Sequence, residues 1–413
     1  MNFEYFIAHG MWRGEGLRRR NIMVRIGVGS TALGVAVMIV VLAVLSGFGR
    51  GIGERLTGFS GHVRVTDFGT GFGDAGSAVF ERDTVAERLF RNGAGFVSWD
   101  SYVQKEGLIR REGVVEGLAL KGYDGNGGAF FERCLVEGSM PRSGDPVRYK
   151  DILLSRATAS RLDVSVGDRI EMLFMEEGRA PRRDRFAVSG LYASGMDEGD
   201  RLTALTDVRN VRRLAEASEH EVSGYEIRLD RLSRAGEYAE ALNRSLLYDE
   251  SIESSLAAES IQTIYPAIFD WQKTHDVNAA VLIVLMLAVA LFNMTGAMLI
   301  LVLERTRTVG VLKALGMSDA SLRRMFLYRG ARIVAEGVLW GDAAGLALCL
   351  VQSLFHVVRL DPSGYILSEM PVHVEWWHVA AVDAGAVAVI VLGLMIPVRI
   401  VSSVRPDEAV RYE

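Results

Sequence analysis

Two runs of this chain stay uncharged for longer than a bilayer is thick. Arg25 and Arg50 bracket 24 uncharged residues, and Asp276 and Glu304 bracket 27 more, including Leu282–Phe292. A helix rises about 1.5 Å per residue, so roughly 20 apolar residues cross a hydrocarbon core of about 30 Å. Residues 26–49 and 277–303 are therefore predicted to span a membrane. Two further apolar stretches are 333–358, interrupted by Glu336 and Asp342, and 379–398, which carries Asp383 and closes near Pro397. Acids inside a span turn toward protein or water, so these stretches read as spans sharing a polar seam. Composition agrees. With 23% of its 413 residues charged, the chain still has a mean hydropathy of +0.19, an average that needs greasy segments beside an ordinary one.

The first run exceeds the roughly 7–15 apolar residues of a cleavable signal, and no small-residue cleavage motif follows it, so it reads as a retained anchor. Basic residues in short flanks mark the cytoplasmic side. Arg13, Arg18, Arg19, Arg20 and Arg25 precede the first span, and seven basic residues lie between Arg305 and Arg332. Between the last two spans Arg359 stands against Asp361, Glu369 and Glu375. Both ends (1–25 and 399–413) and the 304–332 loop are thus predicted to be cytoplasmic, with 50–276 and 359–378 on the far side.

The 227 residues from Arg50 to Asp276 hold 30 Lys/Arg and 38 Asp/Glu, a composition and length that suit an independent domain. Strand-like alternation appears at His62–Val65, Arg169–Phe174, Phe186–Leu191 and Tyr225–Leu229. Helical patterning covers Asp207–Ala217, with Asp207 as the N-cap, and Ala235–Leu247. Glycine-rich punctuation such as Asp124–Gly128 separates these elements. No tandem repeat is visible, and at most a weak two-part division falls near residue 145. The predicted fold class is an α-helical four-span transmembrane unit plus an α+β extracytoplasmic (periplasmic) domain.

Several function classes drop out. A net charge of −5 gives no bulk basic surface for nucleic acid. Cys134 and Cys349 are the only cysteines, too few for a disulfide framework or a cysteine-built zinc site. A P-loop needs Gly-Lys, which occurs nowhere, and there is no HExxH. Asp342 and Asp383 are the one conceivable catalytic pair, an intramembrane aspartyl dyad. Asp342, however, sits in LWGD and not in a GxGD motif, and paired acids in a helix seam account for both. The chain reads as a non-enzyme with no cofactor or metal of its own.

Gly337, Gly341 and Gly345 recur every fourth residue, so they line one helix face and let another backbone approach. That face serves either packing inside one subunit or a moving contact with the first span of a partner. The 304–332 loop opens with ERTRTVGVLKALGMSDASLRRMF, in which Gly316 reads as a helix C-cap and Ser318 as the next N-cap. Val309, Val311, Leu312 and Leu315 make its centre apolar, which suits either a solvated positive loop or a contact seated in a cleft of a cytoplasmic partner.

These residues bring a family into view. ERTRTVGVLKALG (Glu304–Gly316) and the ending RPDEAVRYE (Arg405–Glu413) resemble the macrolide-exporter and cell-division permease superfamily of ABC transporters. Ala32–Val65, Phe269–Asn293 and Tyr365–Val372 are similar, within it, to the Lol-type lipoprotein-releasing permeases. That resemblance implies a permease of the bacterial inner membrane, acting beside a second copy or a paralogue. ATP and Mg would be bound by a separate cytoplasmic ABC ATPase dimer. It assigns the ATPase-coupling motif to Glu304, Arg305, Gly310, Lys313, Ala314 and Gly316, and an interfacial elbow helix to Met1–Arg20. It also implies that a hairpin between Val166–Phe174 and Phe186–Asp200 contacts a periplasmic lipoprotein carrier, through Arg179, Arg182, Arg183 and Arg185. Two other functions occur in the superfamily: relaying ATPase motion to a cell-wall hydrolase, and efflux of small molecules or peptides.

Lipoprotein cargo sets an energetic problem. At about 0.8 kcal/mol per methylene, three acyl chains of ~15 methylenes represent roughly 35 kcal/mol of burial. An apolar chamber opening sideways from membrane lipid avoids exposing them to water at once. Met38, Leu42, Met286 and Met294 of the first two spans are the candidate lining, methionine adapting to variable chain shapes.

Overall fold

The computed structural model describes residues 21–68, 78–111, 113–124, 127–144, 146–175, 180–248, 255–360 and 369–403. The elbow segment Met1–Arg20, Arg179, Tyr365–Ser368 and the Arg405–Glu413 ending lie outside them. Two compact units result. One comprises residues up to Arg50 with Trp271–Arg359 and the chain from Glu369, and the other is centred on Gly51–Asp270.

Among the described residues four helices are long and apolar enough to cross a membrane, within Asn21–Ser60, Pro266–Glu304, Asp319–Phe355 and Trp376–Ser403. All begin before the apolar stretches that betray them, and all but the third, which stops at Phe355 short of residue 358, also run past their ends. Forty residues of helix are about 60 Å long, twice the hydrocarbon thickness, because polar helix ends lose nothing by standing in water. The third helix begins at Asp319, well before residue 333, since Ser318 caps it by accepting from the Ser321 amide at 3.3 Å. The fourth continues through Pro397 to Ser403 instead of stopping at the proline. Neighbouring helices in a membrane tolerate such a break in the hydrogen-bond ladder. Trp376 and Trp377 stand exposed in the first turn of the fourth helix, as interfacial anchors do.

The core of this unit is continuous: Met38 and Ile39, Met294 and Met298, Phe326 and Val334, Ile390 and Leu394 pack together from all four helices. The segment before the fourth helix is tied to the first. The His373 amide donates to the Ala43 carbonyl at 2.9 Å, and the guanidinium of Arg50 donates to His373 Nε2 at 2.9 Å.

The inserted domain is built on a ten-stranded sheet. Its strands are β1 Val63–Asp67, β3 Phe96–Arg111, β4 Val114–Asp124, β5 Leu135–Gly138, β6 Asp151–Ser155, β7 Arg169–Phe174, β8 Arg182–Tyr192, β9 Thr203–Thr206, β11 Gly224–Leu229 and β12 Leu256–Ser260. The short pair β2 Phe80–Glu81 and β10 Glu221–Val222 stands apart. The sheet order is β12-β1-β11-β3-β4-β9-β6-β8-β5, with β7 bridging β3 and β8. β4 runs parallel to β9 and β6 parallel to β8; the other pairs are antiparallel. Two apolar clusters pack on one face of it, one around Val103, Ile109, Leu120, Phe174 and Phe186, the other around Val63, Phe90, Tyr225, Ile227 and Leu242, and a third, around Tyr102, Phe131, Leu153 and Tyr192, packs on the other. No division falls near residue 145, because β5 and β6, on either side of it, both pair with β8.

Asp207 caps the helix Val208–Ala215, its carboxylate accepting from the Arg209 amide at 2.9 Å. The helix Ala235–Tyr248 buries Ala235, Tyr238, Ala239, Leu242 and Leu246, a single stripe at helical spacing. Burial pushes the Tyr238 hydroxyl up to about 12. At the far end of the sheet, Arg142 donates to both oxygens of Asp151 at 2.7 and 3.0 Å. Those bonds hold the Asp151 carboxyl below its ordinary 3.8.

The most demanding contact lies on the sheet itself. Lys121 of β4 and Glu226 of β11, both buried, form an ion pair. Lys121 Nζ also donates to the Phe59 carbonyl at 3.2 Å, and Tyr123 donates to the second oxygen of Glu226 at 3.0 Å. The ammonium sits 4.2 Å from the ring centre of Tyr102 and 4.8 Å from that of Tyr123. Burial drives the Lys121 pKa down and Glu226 opposes it, while burial raises the hydroxyls of Tyr102 and Tyr123.

Lys121→Met is expected to cost about 3–5 kcal/mol, because it strands the Glu226 charge, and the joint change with Glu226→Gln to recover much of that. Thermal unfolding of the detergent-solubilised chain measures both. Arg142→Gln should lower the melting temperature at neutral pH. The lowered carboxyl of Asp151 contributes stability that is complete above 3.8 and is lost as pH falls through the folded value. Parent and variant should therefore converge in strong acid, and melting curves recorded over a pH series test the convergence.

Candidate functional site

The linker between the second and third membrane helices has one inward and one outward side. After a break at Arg305, residues Thr306–Ala314 form a short helix. Val309 and Gly310 are buried and Leu312 packs on the core of the membrane unit. Val311 is 47% exposed and Leu315 79%. Gly316 follows at φ +92°, a left-handed position that closes the helix and that a side chain would strain. Lys313 Nζ bonds Asp319 at 2.9 Å, tying the linker helix to the start of the third span. Of the six residues assigned to the coupling motif, Glu304, Ala314 and Gly316 are exposed, Arg305 and Lys313 half-buried, and Gly310 buried. The surface so made is a small apolar knob, Val311 and Leu315, on a basic segment.

The glycines every fourth residue meet the first helix of the same chain. A Cβ at Gly337 would lie 2.7 Å from Thr31 Cβ, one at Gly341 2.7 Å from Val35 Cβ, and one at Gly345 3.2 Å from Ala36 Cα. Real Cβ atoms essentially never come within 3.0 Å, so the contacts at Gly337 and Gly341 exist because these positions lack one, and the one at Gly345 is tighter than most. Thr31 adds a local bond, donating to the Gly27 carbonyl at 2.9 Å. Met38 and Met294 are fully buried within the unit, and Leu42 and Met286 pack at its margin. Within one chain these four candidates belong to packed core and do not border an open chamber. Asp342 and Asp383 face each other across the third and fourth helices. Each presents one buried carboxylate oxygen that finds no hydrogen-bond donor in the described residues.

The hairpin β7–β8 divides its arginines between two faces. Arg183 and Arg185 are exposed, with Arg185 3.5 Å from Glu171 on the neighbouring strand. Arg182 turns the other way, 3.7 Å from Glu216. Between them Asp184 is buried and paired with both Lys150 and Arg213. Three of the four predicted contact arginines thus flank one hairpin, and only two point outward.

A feature that sequence reasoning missed is a cleft of about 1410 Å³ within the inserted domain. Its floor is the sheet face opposite the apolar core. Register places Arg64 beside Glu226, Gln104 beside Lys121 and Glu106 beside Ala119 on that face. The walls are apolar, from Leu56, Phe59, Met196, Leu202, Ile264 and Ile268. The polar file Tyr102, Gln104, Glu106 at alternate positions is its sequence signal. Gly107 and the consecutive polar residues Gln104, Lys105 and Glu106 before it hide the alternation.

Residues 280–406 match the family described as FtsX-like permease C-terminal. The chain is 27% identical over 403 residues to the lipoprotein-releasing system transmembrane protein LolC of Xylella fastidiosa, covering 92% of each chain. It is 22% identical over 437 residues to the corresponding protein LolE of Haemophilus influenzae, covering 99% of each. The periplasmic region of MacB from Actinobacillus actinomycetemcomitans aligns with 52% of this chain and 97% of its own length, at 15% identity and a TM-score of 0.34. The resemblance to Lol-type permeases therefore extends over nearly the whole chain, beyond the motifs that first suggested it.

Gly341→Leu is expected to destabilise the membrane unit by about 1–3 kcal/mol or more, since Val35 and the Ala32 carbonyl leave no room for the side chain. Gly341→Ala should cost less. Melting of the two variants in detergent, beside a Gly296→Ala control at an open position, gives the ranking.

Proposed function

We propose that this chain is the permease subunit of an ABC transporter that releases lipoproteins from the outer leaflet of the bacterial inner membrane to a periplasmic carrier. A separate cytoplasmic ATPase pair supplies the energy. The observation that carries the reading is the exposed knob of Val311 and Leu315 on the linker, where the coupling motif falls, in a chain that has no Gly-Lys pair for nucleotide phosphates. Similarity to LolC and LolE over 92% and 99% of the chain supports it.

In this reading the basic flanks hold both termini and the linker in the cytoplasm, and the inserted domain faces the periplasm. Closure of the ATPase dimer pushes on the linker. Lys313 and Asp319 pass that push to the third helix, whose glycine face lies flush on the first. Such a seam slides without dismantling a core, because it interlocks few side chains. A chamber for acyl chains then requires a second permease, a copy or a LolE-like paralogue, since the methionines of one chain are already packed. Dividing the transfer of ~35 kcal/mol of acyl burial between membrane, chamber and carrier keeps any single exposure to water small. Arg183 and Arg185 are the exposed forks of the hairpin that would meet the carrier.

Leu315→Glu places a charge in the seat of the knob. It should abolish co-purification of the ATPase and stop ATP-dependent release of acylated lipoprotein from proteoliposomes to the carrier, while the chain still inserts. Release at the parent rate by that variant, or retention of cargo by the wild-type complex with ATP and carrier present, would overturn the assignment.

A further inference from the structure

The cleft in the inserted domain is a feature that the release reading leaves without a role. Its floor carries charges of both signs. Lys121 and Glu226 satisfy each other there, but Arg64 does not reach that balance. Its Nε is buried and bonds to no acceptor among the described residues, although Glu226 and Glu259 lie across from it on the strands to either side. Arg201, exposed on the helix Asp197–Leu202 at the cleft wall, likewise forms no ion pair among the described residues. Glu106 and Gln104 supply acceptors and an amide on the same floor. Leu202, 57% exposed, and Met175, 63% exposed, are uncovered apolar side chains at the edge.

We propose that this cleft binds an extended polypeptide segment that brings carboxylates and main-chain carbonyls to Arg64 and Arg201 and apolar side chains to the walls. A polypeptide offers donors and acceptors in alternation, which is what a floor of mixed sign matches. An acyl chain would leave Arg64, Gln104 and Glu106 without partners, and a lipid phosphate would meet the carboxylate of Glu106. The volume, about 1410 Å³, exceeds the roughly 300–1,000 Å³ that small-molecule sites occupy. Resting on the release reading, the occupant is the unfolded stretch of cargo polypeptide that follows its lipid-bearing residue. Holding that stretch above the bilayer keeps cargo in register while its acyl chains leave.

The test uses the full chain with its ATPase and second permease in nanodiscs, without ATP. The probe is a fluorescein-labelled peptide of repeated Ser-Asp-Leu triplets, read by fluorescence anisotropy. Arg64→Gln and Arg201→Gln should each weaken binding by about tenfold, as loss of a charge-assisted hydrogen bond does. Arg201, being exposed, gives a variant whose folding is not at stake. Arg91→Gln, at an exposed position outside the cleft, should bind as the parent does, and replacing Asp by Lys in the peptide should abolish binding. Equal binding by parent and both cleft variants overturns the proposal. So does displacement of the probe by phosphatidylglycerol vesicles at the concentration that fills the site, which would make the occupant a lipid. A complex that releases lipoprotein yet shows no cleft-dependent binding sinks this inference alone. One that binds the peptide through Arg64 and Arg201 but never releases lipoprotein leaves the cleft standing and removes the transport reading.

Discussion

Hydrocarbon gives a backbone amide nothing to bond to, and that single deprivation shapes the membrane half of the chain. Each crossing must satisfy its own peptide groups, so each is a helix. Once helical, the spans cannot rely on water to drive them together, because lipid tails are as apolar as leucine. What remains is close fit. Gly337, Gly341 and Gly345 supply it by removing three side chains from the third helix where Thr31, Val35 and Ala36 of the first arrive. Asp342 and Asp383 turn toward each other for the same reason: in a span, the nearest polar group is the best solvent available.

The inserted domain faces the opposite condition and answers it differently. Water is available there, so one face of the sheet buries an ordinary core of Val103, Ile109 and Leu120. The other face carries a polar file that is only partly covered. Lys121, Glu226 and Tyr123 form a closed set, and a hydrophobic trio of the same volume would hold the strands as well. The pair joins β4 to β11 across β3 and leaves polar ground beside it. The cleft is that ground.

Much of this was legible from the residues. The four spans followed from the length of two uncharged runs and two apolar stretches that carry a few acids, and Asp207, Gly316 and Ser318 announced their caps because capping is decided within a few residues. Strands β7, β8 and β11 showed their alternation. The longest pair did not. β3 and β4 contribute eleven registered pairs, yet Gly107, Gly117 and Gly122 interrupt their patterns where Phe174, Leu108 and Val208 press close. A cleft between distant segments has little local signature beyond the file Tyr102, Gln104, Glu106, since Phe59, Lys121, Arg201 and Ile264 come from separate helices and strands and are brought together only by the fold. Nor did spacing reveal that Met38 and Met294 would be packed away, or that Arg182 and Arg183 would point to different sides; burial belongs to the fold and not to the residue.

The position of β1 also governs how the protein is made. This strand leaves the first membrane helix at Val63, but its partners are β11 and β12, which begin at Gly224 and Leu256. Closing a loop that long is slow, and no shorter one completes that edge of the sheet. That sheet edge is therefore completed only after nearly all of the inserted domain has been made, and β1 has nothing to pair with until then. An open strand edge lasts for that interval, and an unpaired edge is a template for pairing with other chains until Leu256–Ser260 arrives to cover it.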